Sequence, residues 1–117
     1  MRIVKADPDI AKGWYTGPWD SDLDISIGFA NEEVNEPHLH QHMTEIYFMA
    51  CGTVEMRVNM ETVTLTAKDV IVVEPGEAHT FLSSSPDHFH FVIQTPGLIG
   101  EEAKTDKVYV PRSQLGL

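Results

Sequence analysis

Apolar and polar residues alternate along most of this chain with a period of two. In "LDISIGFA" (residues 23–30), Leu23, Ile25, Ile27 and Phe29 alternate with Asp24, Ser26 and Gly28. Successive side chains of a strand point to opposite sides, so this is the pattern of a strand with one buried face. "VEMRVNM" repeats it, with Val54, Met56, Val58 and Met60 set against Glu55, Arg57 and Asn59. "TVTLT" (62–66), "DVIVVE" (69–74), "HTFLS" (79–83) and "HFHFVIQT" (88–95) follow, separated by short segments carrying Gly, Pro, Ser or Asp. No window supports a helix longer than a turn or two. Many short strands with turn signals between them predict an all-β fold, an antiparallel sandwich or barrel. The two ends, residues 7–22 and 95–117, break the pattern and are expected to be irregular, wrapping the barrel or reaching a neighbouring subunit.

Composition narrows the class. The 117 residues suit one domain, 1–117, and the 42% apolar and 22% charged fractions are those of an ordinary globular chain. A formal net charge of −10 speaks against nucleic acid or an anionic membrane as partner, since both require a basic patch. Cys51 is the single cysteine, so no intramolecular disulfide forms. No apolar run approaches the length of a spanning helix, and "MRIVKADPDI" lacks the apolar core of a signal peptide. The expected address is a reducing cytoplasm.

Candidate chemistry is concentrated in "PHLHQHMTEIYFMACG" (37–52), which holds three of the six histidines. His38 and His40 share a strand face and are close enough to share one metal ion. Glu45 has the opposite parity, so a turn must intervene before it opens the strand "EIYFMA", whose inward face then reads Glu45, Tyr47 and Met49. His79 begins a further strand after the turn at Pro75–Gly76 in "EPGEAHTF". Two histidines on one strand end, a glutamate and a distant histidine fit a metal site built across several strands.

These residues resemble the cupin family. Its first motif is a His-x-His pair, three or four residues, a Glu, six residues and a Gly; "HLH" (38–40), "QHMT", Glu45, "IYFMAC" and Gly52 match it. Its second motif centres on Pro-x-Gly-x-x-His, to which "EPGEAH" (74–79) contributes Gly76 and His79, with Glu74 in place of the proline. Glu32, Lys68 and Ser83 depart from the motifs at turn and strand-end positions. The resemblance covers about residues 23–96 and implies a double-stranded β-helix, or jelly-roll barrel. The ligand set it implies is His38, His40, Glu45 and His79 around one divalent ion. Three imidazoles and one carboxylate suit Fe, Mn, Ni or Co in octahedral coordination, with Zn as a substitute.

Several alternatives accompany this reading. A register using His40, His42 and Glu45 also contains a His-x-His pair, but two residues to Glu45 leave little room for the turn. His88 and His90 are expected to point outward, because Phe89, Phe91 and Ile93 compete for the buried face of the same strand and cost more to expose. Cys51 is expected to be a small buried thiol, and Arg112 a solvated tail charge. The inward positions Tyr47, Met49, Met56, Val58 and Phe81 predict a small, mainly apolar pocket for a small-molecule ligand or substrate. "EIYFMA" and "DVIVVE" are apolar on both faces, which would leave Ile46, Phe48, Ile71 or Val73 outside and predicts a homodimer. Two functions stay open. One is a metal-dependent enzyme of dioxygenase, isomerase or lyase type, with Glu45 and Tyr47, or else His42, as catalytic candidates. The other is a metal- or ligand-binding module without catalysis. A metal-free sugar epimerase needs no complete ligand set, and the set here is complete.

Overall fold

A computed structural model describes residues Met1–Leu117, which form ten strands, one short helix and a closing 3₁₀ turn. One five-stranded sheet has the order β1 (Lys12–Thr16), β2 (Ser26–Ala30), β9 (Phe89–Thr95), β4 (Thr44–Cys51), β7 (Val70–Val73). The other runs β10 (Lys107–Tyr109), β3 (His38–His40), β8 (His79–Ser84), β5 (Thr53–Val58), β6 (Glu61–Thr66). Every pairing is antiparallel. The fold is therefore the predicted all-β, double-stranded β-helix. Between the sheets lies a core of Tyr47, Met49, Val54, Met56, Leu65, Val73 and Phe81, and beside it a cavity of about 480 Å³.

Two turns show how local sequence allows this path. The β5–β6 hairpin closes through Asn59 and Met60, and Asn59 takes the left-handed region (φ 51°) that asparagine tolerates better than most residues. Gly52 joins β4 to β5 at φ 79°, where a Cβ would lie 2.6 Å from the Cα of His88. Only glycine meets both demands.

The ends are more regular than their composition predicts. The N-terminal segment supplies edge strand β1, paired with β2. The C-terminal segment forms α1 (Gly100–Asp106) and then β10, which pairs with β3 so that Lys107 faces His40 and Tyr109 faces His38.

Strand β9 faces the other way from the alternation read in the sequence. His90 and the preceding His88 are 2% and 1% exposed and turn into the barrel, whereas Phe89, Phe91 and Ile93 lie on the outer face, half-buried. The physical reason is that this sheet is apolar on both sides: Tyr15 and Phe29 (centroids 4.9 Å apart), Phe29 and Phe89 (5.9 Å) and Phe89 and Phe91 (5.1 Å) form an aromatic cluster of their own outside the barrel. Exposing the phenylalanines to water was never the alternative to turning them inward. The same sheet corrects β7, where Val73 is buried and Ile71 packs on the core, while Val70 and Val72 point out. With Phe48 they form an exposed apolar row, 42–49% accessible.

Candidate metal centre

The expected turn at Gln41–His42 separates β3 from β4 and resolves the parity problem. His38 and His40 come from β3 and His79 from β8, directly opposite His38 in the register, while Glu45 projects from β4 of the facing sheet. All four are buried. Glu45 Oε1 lies 2.9 Å from His79 Nε2, 3.0 Å from His40 Nε2 and 3.7 Å from His38 Nε2. The donor atoms of His38, Glu45 and His79 all fall within 4.8 Å of one another, a group that can hold a metal ion.

Which nitrogen each ring presents is set from behind. His38 Nδ1 lies 2.6 Å from the Glu36 carbonyl, His79 Nδ1 2.9 Å from the Glu77 carbonyl, and His40 Nδ1 3.0 Å from Asp106 Oδ2. Each partner is an acceptor, so each Nδ1 carries the proton and each Nε2 turns a lone pair toward the centre. Three lone pairs aimed at one carboxylate repel it, and a cation among them converts repulsion into ligation. The grouped donors of His38, Glu45 and His79 therefore fit a divalent ion, with His40 Nε2 beside Glu45 but outside that group, and acceptors behind the rings are the usual support for histidine ligands.

Electrostatics follow the same geometry. Burial raises the Glu45 carboxyl, but the imidazoles of His38, His40 and His79 gathered around it outweigh burial and hold Glu45 well below the usual carboxylate range, because any ring that takes up a second proton gives it to this carboxylate as a hydrogen bond. Burial lowers His40, yet Glu45 on one side and Asp106 on the other leave it above an ordinary histidine. Tyr47 donates its hydroxyl to Glu45 Oε1 at 3.0 Å and sits 3.3 Å from His79 Nε2. Burial, then the Glu45 charge, push its phenol well above normal, so it remains protonated.

The cavity is lined by these residues together with Phe81, Val92 and Val34, and Lys12, Trp14 and Lys107 also border it. It is less apolar than predicted, since Thr80, His90 and Gln94 join the lining. Met49 and Met56 belong to the packed core, and Val58 borders a different depression. His42 is exposed and takes part only through its backbone N–H, which donates to Asp106 Oδ1 at 2.7 Å. Arg112 bonds Asn35. Cys51 is exposed rather than buried, its thiol donating to the Asp87 carbonyl.

Two supporting residues were not read from the sequence. Gln94 donates to Glu45 Oε2 at 3.1 Å from the neighbouring strand β9; the opposite parity choice for "HFHFVIQT" would have placed it with His90 on the inner face. Asp106, 1% exposed, reaches His40 across 66 positions of sequence. In "EEAKTDK" it is one acidic residue among several, and no local signal distinguishes it.

A two-sheet β-barrel with a buried His/Glu/His group facing an internal cavity is the architecture of the double-stranded β-helix proteins. The chain belongs to the cupin domain family, whose pattern it matches over residues 27–94, more than half its length. No curated protein matches it in sequence. Among solved structures it resembles Pac13 from Streptomyces bound to uridine, with 18% identity, a TM-score of 0.67 and coverage of 86% of this chain and 77% of that one. Pac13 is described as a nucleoside dehydratase. KdgF from Halomonas sp. is similar at 18% identity and TM-score 0.62, covering 79% and 84% of the two chains. A Planctomyces limnophilus protein reaches TM-score 0.69 at 16% identity, covering 92% and 96%.

Proposed function

We propose that this chain is a mononuclear metal-dependent enzyme acting on a small oxygenated organic molecule, with His38, His40, Glu45 and His79 holding one divalent ion. The observation that carries the reading is the approach of three back-supported Nε2 atoms to a single Glu45 oxygen at the wall of the cavity. The ion, Fe, Mn, Ni or Co, or Zn by substitution, would supply a Lewis acid that polarises a substrate oxygen.

The chain's own residues do the rest. Gln94 holds one Glu45 oxygen so that the other stays directed at the histidines. Tyr47 keeps a proton at its hydroxyl beside Glu45 and His79 and is the group placed to deliver one to a bound substrate. Phe81, Val92 and Val34 exclude water from the inner wall. Dioxygenase, isomerase and lyase chemistry all suit such a site. The nucleoside dehydratase with the same barrel supports the lyase type by showing that the fold carries that chemistry.

A second reading, a non-catalytic metal- or ligand-binding module, is favoured by one observation: Tyr47 gives up its proton reluctantly. The Glu45→Gln variant separates the two. It keeps size while raising the net charge of the occupied site from about +1 to about +2. Measured at saturating metal with a turnover screen of small enols, diketones and hydroxy acids, an enzyme stays impaired, whereas a binder recovers full ligand binding once metal is replenished. Absence of turnover by wild-type protein with every divalent metal supports the binder. We also propose that the apolar row Phe48, Val70 and Val72 is covered by a second copy of the chain, making a homodimer.

A further inference from the structure

His88 and His90 are not used by the site described above, yet both are fully buried. His88 Nε2 lies 2.6 Å from His90 Nδ1, and the rings stack with centroids 4.9 Å apart. His90 lines the cavity, stacked on Phe81 at 5.0 Å and edge-on to Tyr47 at 5.6 Å. It lies opposite the core residue Met49 while Glu45 lies opposite Gln94, so it stands four strand positions from Glu45 on the side toward the packed core. Its Nδ1 is taken by His88, which leaves Nε2 as the atom available to a ligand. His88 Nδ1 is buried without any partner.

One proton lies between the two rings, and its owner decides what the cavity presents. Burial lowers both rings, with His90 brought to about 4, so both are neutral near neutral pH. If His90 Nδ1 carried the proton, His88 would accept at Nε2 and its orphaned Nδ1 would be a buried N–H with nothing to bond. If His88 Nε2 carries it, the orphan is a bare lone pair. Buried donors without partners are rarer and costlier than buried acceptors without them, so the second arrangement prevails. We infer that His88 fixes His90 as its Nε2–H tautomer, so that the deep end of the cavity presents one hydrogen-bond donor and selects ligands carrying an oxygen acceptor at the end remote from the Glu45 cluster. The selectivity part rests on the cavity being the binding site proposed above; the tautomer part does not.

Nitrogen NMR of isotopically labelled histidines in the wild-type protein near neutral pH tests the tautomer directly. His90→Phe and His88→Phe assign the signals by deletion. The expected result is protonation at Nε2 in both rings, with His90 becoming a tautomer mixture in His88→Phe; a His90 ring protonated at Nδ1 in the wild type overturns the inference. Selectivity is read on Mn(II)-loaded protein with two chelating probes, catechol and protocatechualdehyde, the second bearing a carbonyl opposite its chelating oxygens. The aldehyde's advantage over catechol should fall about 3- to 10-fold in His90→Phe, the size of one lost hydrogen bond, and His90→Gln, which keeps a donor, should retain part of it. An unchanged ratio overturns the selectivity. Taking the ratio cancels the probes' different intrinsic affinity for metal. If wild-type protein fails to load Mn(II) or any other divalent ion, the proposed function falls while the tautomer result stands or falls by itself.

Discussion

Asp106 shows how much a single side chain outside the motifs can govern. One of its oxygens accepts from His40 Nδ1 and the other from the His42 backbone N–H. Asparagine has only one acceptor oxygen and would turn an N–H toward one of these donors. Asp106→Asn should therefore lower metal affinity by about 10- to 100-fold, as loss of a histidine's supporting partner generally does, with a far-ultraviolet spectrum like the wild type; isothermal titration with Mn(II) or Ni(II) checks it. His90 yields a prediction in pH. Its native value of about 4 lies below the ordinary 6.5, set by burial and then the neighbouring His88, with Glu45 opposing. The unfolded chain takes up this proton near pH 6.5 and the native one only near 4. Stability is thus fully present above 6.5 and declines as pH falls toward 4, by up to roughly 3 kcal/mol from this residue. Thermal melts of metal-free His90→Phe should show a shallower loss than wild type over that interval; parallel curves would contradict it.

Strands were legible where one face is apolar and the other is not. The alternation in β5 places Val54 and Met56 in the core, and the parity break between His40 and Glu45 requires the turn at Gln41–His42 that is found. β2 is reversed, with Ser26 buried beside Gln94 and Ala30 beside His90, while Ile27 and Phe29 join Phe91 on the outer face and Leu23 is exposed. β9 was misread because period-two reasoning assumes a single apolar environment, and the β1-β2-β9-β4-β7 sheet has two. Nothing local tells Phe91 from His90 when an aromatic cluster awaits outside. Asp106 was illegible for a different reason: it acts through the pairing of β10 with β3, and a partner distant in sequence leaves no periodic trace. The β4–β5 link carries its own test. An alanine Cβ at position 52 would meet the backbone of His88 at 2.6 Å, at a φ of 79°. Gly52→Ala should destabilise the protein by at least about 1–3 kcal/mol, combining strain at a left-handed position with a clash that backbone atoms cannot relieve. Urea denaturation measures it, and a change within about 0.5 kcal/mol would mean the link is softer than its geometry.

At the scale of the molecule, one sheet face remains apolar and open. Phe48, Val70 and Val72 are each more than two-fifths accessible and neighbour one another across the β4–β7 pairing, where Phe48 lies opposite Val70. A contiguous apolar face of this kind is what subunit interfaces cover. Light scattering should give a dimer mass, and Phe48→Glu with Val72→Lys should yield a folded monomer; a wild-type monomer mass at every concentration would count against the pairing.

The Glu45 cluster is also a joint between halves. Glu45 belongs to one sheet, and His38, His40 and His79 belong to the other. An ion ligated by all four would act as a rivet, because the sheets could not part along that edge without breaking a coordination bond. Escape of the ion and gaping of the barrel would then be one event with one rate, and the slowest amide protons to exchange would move from the packed Met49–Met56 interior toward the rim where the ion sits.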